Sequence, residues 1–288
     1  MTPLLPTHTA LYEFVGSCWA NAPKIALSET GFKKDKDVEW VSINLAEGKN
    51  FEPDYLKINP AGTVPTLITS DGTKYQDSIS AVRQIIKLAP HPPRVDAHTS
   101  TSIIEEIHAS AHDPNATLLF AINDEDRKEK SNGLPKGFLE GRQKALDKLA
   151  ENPPAEFKDF LLKKKKDNQQ LLDFYITEPD DSTKQAHYSQ GQNLWKSVGI
   201  AIRGVVVQAL QKNGGPFAGG EEPSEVDYHI ITWLARTITN TGVEPGSPAS
   251  VAIPKLQEYT GGHNIDPAIG KYWDAWLARP SFKDNSIH

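Results

Sequence analysis

Cysteine is nearly missing from this chain. Its 288 residues hold one, Cys18, which excludes an intramolecular disulfide and a zinc site built on cysteine sulfur. The nine histidines are scattered without the HExxH spacing of a zinc-binding helix, and no GxGxxG or Walker-type glycine loop occurs. Metal hydrolysis and nucleotide chemistry therefore have no sequence footing, and no metal site is expected. Long apolar runs are lacking too. No stretch of about eighteen apolar residues occurs, and MTPLLPTHTA has no basic segment ahead of an apolar one, so the expectation is a cytoplasmic protein without membrane span or signal peptide. A net charge of -6 offers no broad cationic surface to nucleic acid. What is there is a 38% hydrophobic, 24% charged chain, long enough for two ordinary domains or for one with a large insertion.

The first ninety residues change period repeatedly. ALYEFVG (10–16) reads as a strand, WANAPKIALSETG (19–31) as a short helix ending on Gly31, and VEWVSIN, from Val38, as a second strand. FEPDYLKI offers a helical turn. PTLITS and TKYQ then flank Asp71-Gly72, a strong hairpin signal, and Ser78 to Leu88 carries a helical stripe at Ile79, Val82, Ile85, Ile86 and Leu88. Parallel strands need a helical crossover and the hairpin is antiparallel, so a four-stranded mixed sheet with helices on its faces is expected. APHPPRVDAH (89–98) reads as a linker, placing a first domain at 1–90 and an all-helical second domain at 99–288. Within the latter, about 123–180 forms a charged insertion with a thin apolar stripe, expected to pack on the helical domain. Its KKKK run (163–166) reads as a solvated helix face.

NPAGTVPTL (59–67) puts a proline where a strand should begin. Proline removes a ladder donor, which is tolerable if the preceding backbone faces a ligand instead of a strand. A cis Val64-Pro65 bond would turn the Val64 amide and carbonyl outward as a docking edge for a peptide.

NPAGTVPTL, followed by DG and then QDS (76–78), resembles the glutathione transferase family. The resemblance covers residues 10–90 and resumes at 214–282, where GGPFAGGEEPSEVDYHIITWLA and YWDAWLARPSF are similar to the family's helical domain. It implies an α+β fold: a thioredoxin-like N-terminal domain followed by an all-α domain. It also implies a homodimer that binds glutathione as cosubstrate and activates its thiolate against a small hydrophobic electrophile, in detoxification or xenobiotic metabolism. Peroxide reduction, aryl-ether cleavage, thiol transfer and a non-catalytic ligand-binding role stay open beside conjugation.

The implied site is specific by residue. Val64 and Pro65 would meet the cysteinyl backbone of glutathione. Ser78, opening a helix, suits the γ-glutamyl carboxylate, with Asp77 or Gln76 accepting from the ammonium. Asp77 and Ser78 also read simply as a helix cap, and Asp77 stands where the family usually has Glu or Gln. Lys49 and Asn50 occupy the place of the glycyl carboxylate contact, although a loop lysine is commonly just solvated. The thiol-activating residue of the family follows the first strand, seven positions before a frequently basic one; counting from Lys24 gives Ser17. Its hydroxyl, together with the helix dipole, would favour thiolate over thiol. Lowering a thiol from pKa 8.5 by roughly two units raises its ionised share at pH 7 from ~3% to ~75%, about 2.7 kcal/mol. Cys18 is the rival nucleophile, for thiol-disulfide exchange, or a buried inert thiol. Ser224 and Asp227 form an S-x-x-D cap of structural character. Trp19, His112, Phe120 and Tyr175 are candidates to line an acceptor pocket, or are core.

Overall fold

A computed structural model describes residues 8–94 and 97–285. The N-terminal part is built as β1 (Ala10–Glu13), α1 (Cys18–Glu29), β2 (Glu39–Ser42), a 3-10 turn (Lys49–Phe51), α2 (Pro53–Ile58), β3 (Thr66–Ile68), β4 (Lys74–Tyr75) and α3 (Ser78–Leu88). The sheet order is β2-β1-β3-β4, with β1 parallel to β2 and the other pairs antiparallel. This is the expected four-stranded mixed sheet of a thioredoxin-like domain. Elements are shorter than the sequence suggested. β1 stops at Glu13, and four residues separate it from a helix that begins at Cys18, with Ser17 in extended dihedrals as its N-cap.

The second part is helical: α4 (Ala97–His108), α5 (Pro114–Leu119), α6 (Asp124–Asn132), α7 (Leu134–Glu151), α8 (Lys158–Ile176) and α9 (Asp181–Ala201), which continues through a π turn into α10 (Val207–Gln211). Then come α11 (Glu225–Thr239), α12 (Ala249–Tyr259), α13 (Pro267–Ala278) and α14 (Pro280–Lys283). The expected linker at 89–98 has neither helix nor strand as far as Arg94; Val95 and Asp96 lie outside the described residues, and α4 already begins at Ala97. No helix among the described residues is long and apolar enough to cross a membrane.

One continuous core joins the halves. Leu11, Ile25, Val82 and Ile85 of the first pack in the same cluster as Ile104, Trp195, Ile231 and Trp233 of the second. α11 is the keel of that core, with Ile230, Ile231, Trp233, Leu234 and Ile238 all buried. Its start is fixed by Asp227, whose carboxylate accepts from the Ser224 and Ala218 amides (both 2.8 Å), the Gly219 amide (3.0 Å) and the Ser224 hydroxyl (2.9 Å). The expected cap is therefore present, and it also ties down the preceding loop.

The insertion has two seats, one of them the expected helical domain. Its α7 and α8 form an antiparallel pair held in part by Asn168, which donates to the Leu139 carbonyl and to Gln143 (both 2.9 Å). One end packs on the helical domain, through Leu139, Leu172, Phe174 and Tyr175 against Ala121 and Tyr188. The other packs on the thioredoxin-like domain, where Leu146 and Leu161 meet Phe51 and Leu56. The thin apolar stripe is in fact two patches facing different partners, so the insertion bridges both domains.

Candidate functional site

Strand register gathers the sequence-predicted residues at one end of the sheet. Tyr12 pairs with Thr66, and β3 and β1 run antiparallel, so Val64-Pro65 and the β1–α1 turn carrying Ser17 leave the sheet at the same end. β4 returns alongside β3 with Tyr75 opposite Leu67, which brings Gln76, Asp77 and Ser78 back to that end. β2 runs parallel to β1, so the segment leading to Lys49 emerges there too. The Val64-Pro65 bond is cis, and Val64 lies beyond the last paired residue of β3.

Two helices begin at this end. Ser17 caps α1, its Oγ accepting from the Ala20 amide at 3.4 Å while its own amide donates to the Phe14 carbonyl at 2.9 Å. A hydroxyl that accepts in this way keeps its hydrogen to donate outward. Asp77 caps α3, accepting from the Ser80 amide (2.8 Å) and hydroxyl (2.9 Å), while Ser78 is buried at the first turn. The positive ends of two helix dipoles thus flank the Val64-Pro65 edge.

Neighbouring groups lock the loops. Asn59, 1% exposed, places Nδ2 within 2.9–3.1 Å of the Thr63 carbonyl, the Thr66 hydroxyl and the Gln76 carbonyl, stitching the segments before β3 and α3 together. The Tyr55 hydroxyl donates to the Thr63 carbonyl at 2.6 Å, and burial pushes its pKa up to about 12. Gln76 donates to the Ile58 carbonyl at 2.7 Å. Asn50 donates to the Gly62 carbonyl at 2.7 Å, and the Lys49 ammonium pairs with Glu52 at 2.8 Å on the surface. Lys24, from which Ser17 was counted, is 4% exposed and faces Glu13 at 3.3 Å, anchoring α1 to β1.

Cys18 has no access to a reactant. It is fully buried, its Sγ donates to the Thr232 carbonyl at 3.3 Å, and burial pushes the thiol well up. The sequence-predicted aromatics divide between two places. Trp19, the second residue of α1, stacks on His108 with ring centroids 3.7 Å apart, and His108 contacts His229 at 3.1 Å. His112 is buried with Glu106 at 2.9 Å, and its carbonyl accepts from Trp233 at 2.8 Å. Phe120 and Tyr175 instead belong with His187, Phe174 and Tyr188, where the Tyr175 hydroxyl donates to the Leu119 carbonyl. Those two serve the seat of the insertion, apart from the Trp19 cluster.

Sequence reasoning missed His108, Asn59, Arg142 and Arg236. Asn59 had a signal, the N-P-A-G turn. The others are set by tertiary packing. Arg142 of α7 lies over Phe51 at 5.0 Å and Phe138 at 5.1 Å, and burial pulls its pKa to about 10. Arg236 of α11 donates from Nη2 to the carbonyl of Gly16, the residue before Ser17.

Comparison with known proteins agrees with this architecture. The family model for the N-terminal domain of glutathione S-transferases matches residues 11–93. Glutathione S-transferase Z2 of Arabidopsis thaliana is 30% identical over 161 residues, 52% of this chain and 67% of that protein. Glutathione S-transferase Z1 of the same plant is 36% identical over 83 residues, 29% of this chain and 35% of the relative, so that match spans about a third of the relative's length. Among solved structures, a bacterial zeta-class maleyl pyruvate isomerase superposes with a TM-score of 0.55 at 14% identity, covering 96% of each chain.

Proposed function

Because the chain belongs to the glutathione transferase family, we propose that it is an enzyme that binds glutathione along the Val64-Pro65 edge and uses its thiolate against a small hydrophobic electrophile. The observation that carries this reading is the register that brings Ser17, Val64-Pro65 and Ser78 to one end of the sheet between two helix N-termini. The Val64 backbone takes the cysteinyl unit. The Ser78 amide and hydroxyl take the γ-glutamyl carboxylate, with the dipole of α3 behind them, and Asp77 or Gln76 faces the ammonium. Lys49 and Asn50 stand toward the glycyl end. Ser17 donates its hydroxyl hydrogen to the sulfur, and the α1 dipole adds to the same charge. The thiol proton leaves to water, so a dedicated base is unnecessary. Trp19, stacked on His108 beside this turn, is the aromatic best placed to meet the acceptor.

Thiol transfer through Cys18 is disfavoured by its burial and its raised pKa, since the thiolate is the reactive form. The test is turnover with glutathione and a panel holding a chlorinated aromatic, an isothiocyanate, an organic hydroperoxide and a mixed disulfide. Glutathione-dependent turnover of one of the first three supports the reading. Disulfide reduction lost in Cys18→Ala would replace it with thiol transfer, and glutathione binding without turnover on any of them would replace it with a ligand-binding role.

A further inference from the structure

Behind the Ser17 turn sits a cation that pairs with no carboxylate among the described residues. Arg236, in the last turn of α11, is 7% exposed. Its Nη2 donates to the Gly16 carbonyl, and its Nε is buried with no hydrogen-bond partner. Burial opposes its charge, and the neighbouring Cys18 thiol would support it only as a thiolate. Arginine remains charged at any physiological pH, so this fold keeps a desolvated guanidinium one residue from Ser17. Such a group is costly unless an anion offsets it.

Among the described residues none of the groups around it forms an ion pair with it. From α1 the facing titratable group is Cys18, whose thiol is held protonated by burial. From the start of α5 it is Asp113, which acts on Cys18 and whose own pKa burial raises; its carboxylate accepts from the Asn115 amide at 2.9 Å and side chain at 3.1 Å. From the turn before α5, His112 is engaged with Glu106. From α4 and α11, His108 and His229 face each other, and burial lowers both, so they remain neutral near pH 7.

We propose that Arg236 is a positioning residue for the thiolate: it fixes the Gly16 carbonyl, and so the Ser17 turn, while its charge stabilises an anionic sulfur held at Ser17. This rests on the reading of the Ser17 site as the glutathione thiol site. It gives the second domain a direct part in the chemistry of the first, because α11 supplies the charge and α1 the hydroxyl. The ionisation is a proton loss from the bound thiol to water, with no change in redox state.

The experiment is the ultraviolet thiolate absorbance of glutathione-saturated protein against pH, for wild type, Arg236→Gln and Arg236→Lys, with the pH profile of turnover beside it. Removing a cation raises the pKa of a nearby thiol. Arg236→Gln is expected to raise it by about one unit, so that turnover falls about tenfold below the pKa and recovers on the alkaline plateau. Arg236→Lys keeps the charge and most of the shift. A purely structural role would lower turnover equally at every pH and leave the thiol pKa in place, and that result overturns the proposal. If Arg236→Gln does not fold, Arg236→Lys decides: a full one-unit rise despite the retained charge overturns it. Absence of glutathione binding, or an unshifted thiol in wild type, would overturn the Ser17 site itself, an outcome visible before any variant is compared.

Discussion

Ser17 and Cys18 are adjacent and have opposite surroundings. One is half-buried at a helix start with a hydrogen to donate; the other is sealed against Thr232. Ser17→Ala is expected to cut glutathione-dependent turnover at pH 7 by at least about tenfold, while Cys18→Ala keeps turnover near wild type and costs about 1 kcal/mol of stability from the space it leaves. Equal losses in steady-state assays of both variants would remove Ser17 from its assigned role. At this scale the sequence was readable where chemistry is local. The Pro65 position, the Asp77 cap and the Ser224–Asp227 cap all follow from residues a few positions apart. Arg236 and His108 were not readable, because one meets the Gly16 carbonyl and the other the Trp19 ring from far along the chain, and no local pattern announces such a contact.

The inserted pair α7–α8 is the element whose position changes the picture most. It reaches the thioredoxin-like domain at Ala46–Phe51, and two glycines permit the approach. Gly141 lies so near the Ala46 carbonyl that a Cβ would come within 2.3 Å of it. Gly48, at φ +65°, would place a Cβ 2.5 Å from that of Ala145. Gly141→Val is therefore expected to push α7 off this surface, to destabilise the protein by about 2 kcal/mol and to weaken glutathione binding through the Lys49–Asn50 segment. Urea unfolding and calorimetry check both effects; unchanged stability would mean that the contact carries no packing energy. Limited proteolysis gives a second check. A packed pair resists cleavage at Lys163–Lys166, whereas rapid cuts there would contradict the bridge. The helices themselves were legible from composition, but their seat was not. An amphipathic stripe tells which residues seek burial and not against which surface.

For the molecule as a whole, pH should act through histidines that folding keeps neutral. His108 and His187 fall from 6.5 to about 4, burial being the main cause in each and the nearby Lys130 and Arg127 adding to it at His187. Nε2 of His187 accepts from the Ala121 amide at 3.1 Å, a bond that a protonated ring cannot make. Between about pH 6.5 and 4 the unfolded chain binds protons that the folded one refuses, so stability falls as the pH drops through that window and is level above it. Together the two should cost about 3 kcal/mol by pH 4, after allowing for partial exposure. His187→Gln should flatten the slope of the urea midpoint against pH; an unaltered slope would show that His187 titrates normally. The two-part architecture was visible in the change from mixed to helical periodicity near residue 90, whereas the shared core, with α11 packed on α1 and α4, required the structure.

Ser17, at the head of α1, is proposed to hold a glutathione sulfur as a thiolate. Calorimetric glutathione binding by wild type and Ser17→Ala, with thiolate absorbance followed across pH, addresses it directly. Binding is expected in both, with a bound thiol depressed by about two units in wild type and returning toward about 8.5 in the variant. Binding with a thiol that titrates at its free value in wild type, or the same depressed value in both proteins, would contradict it.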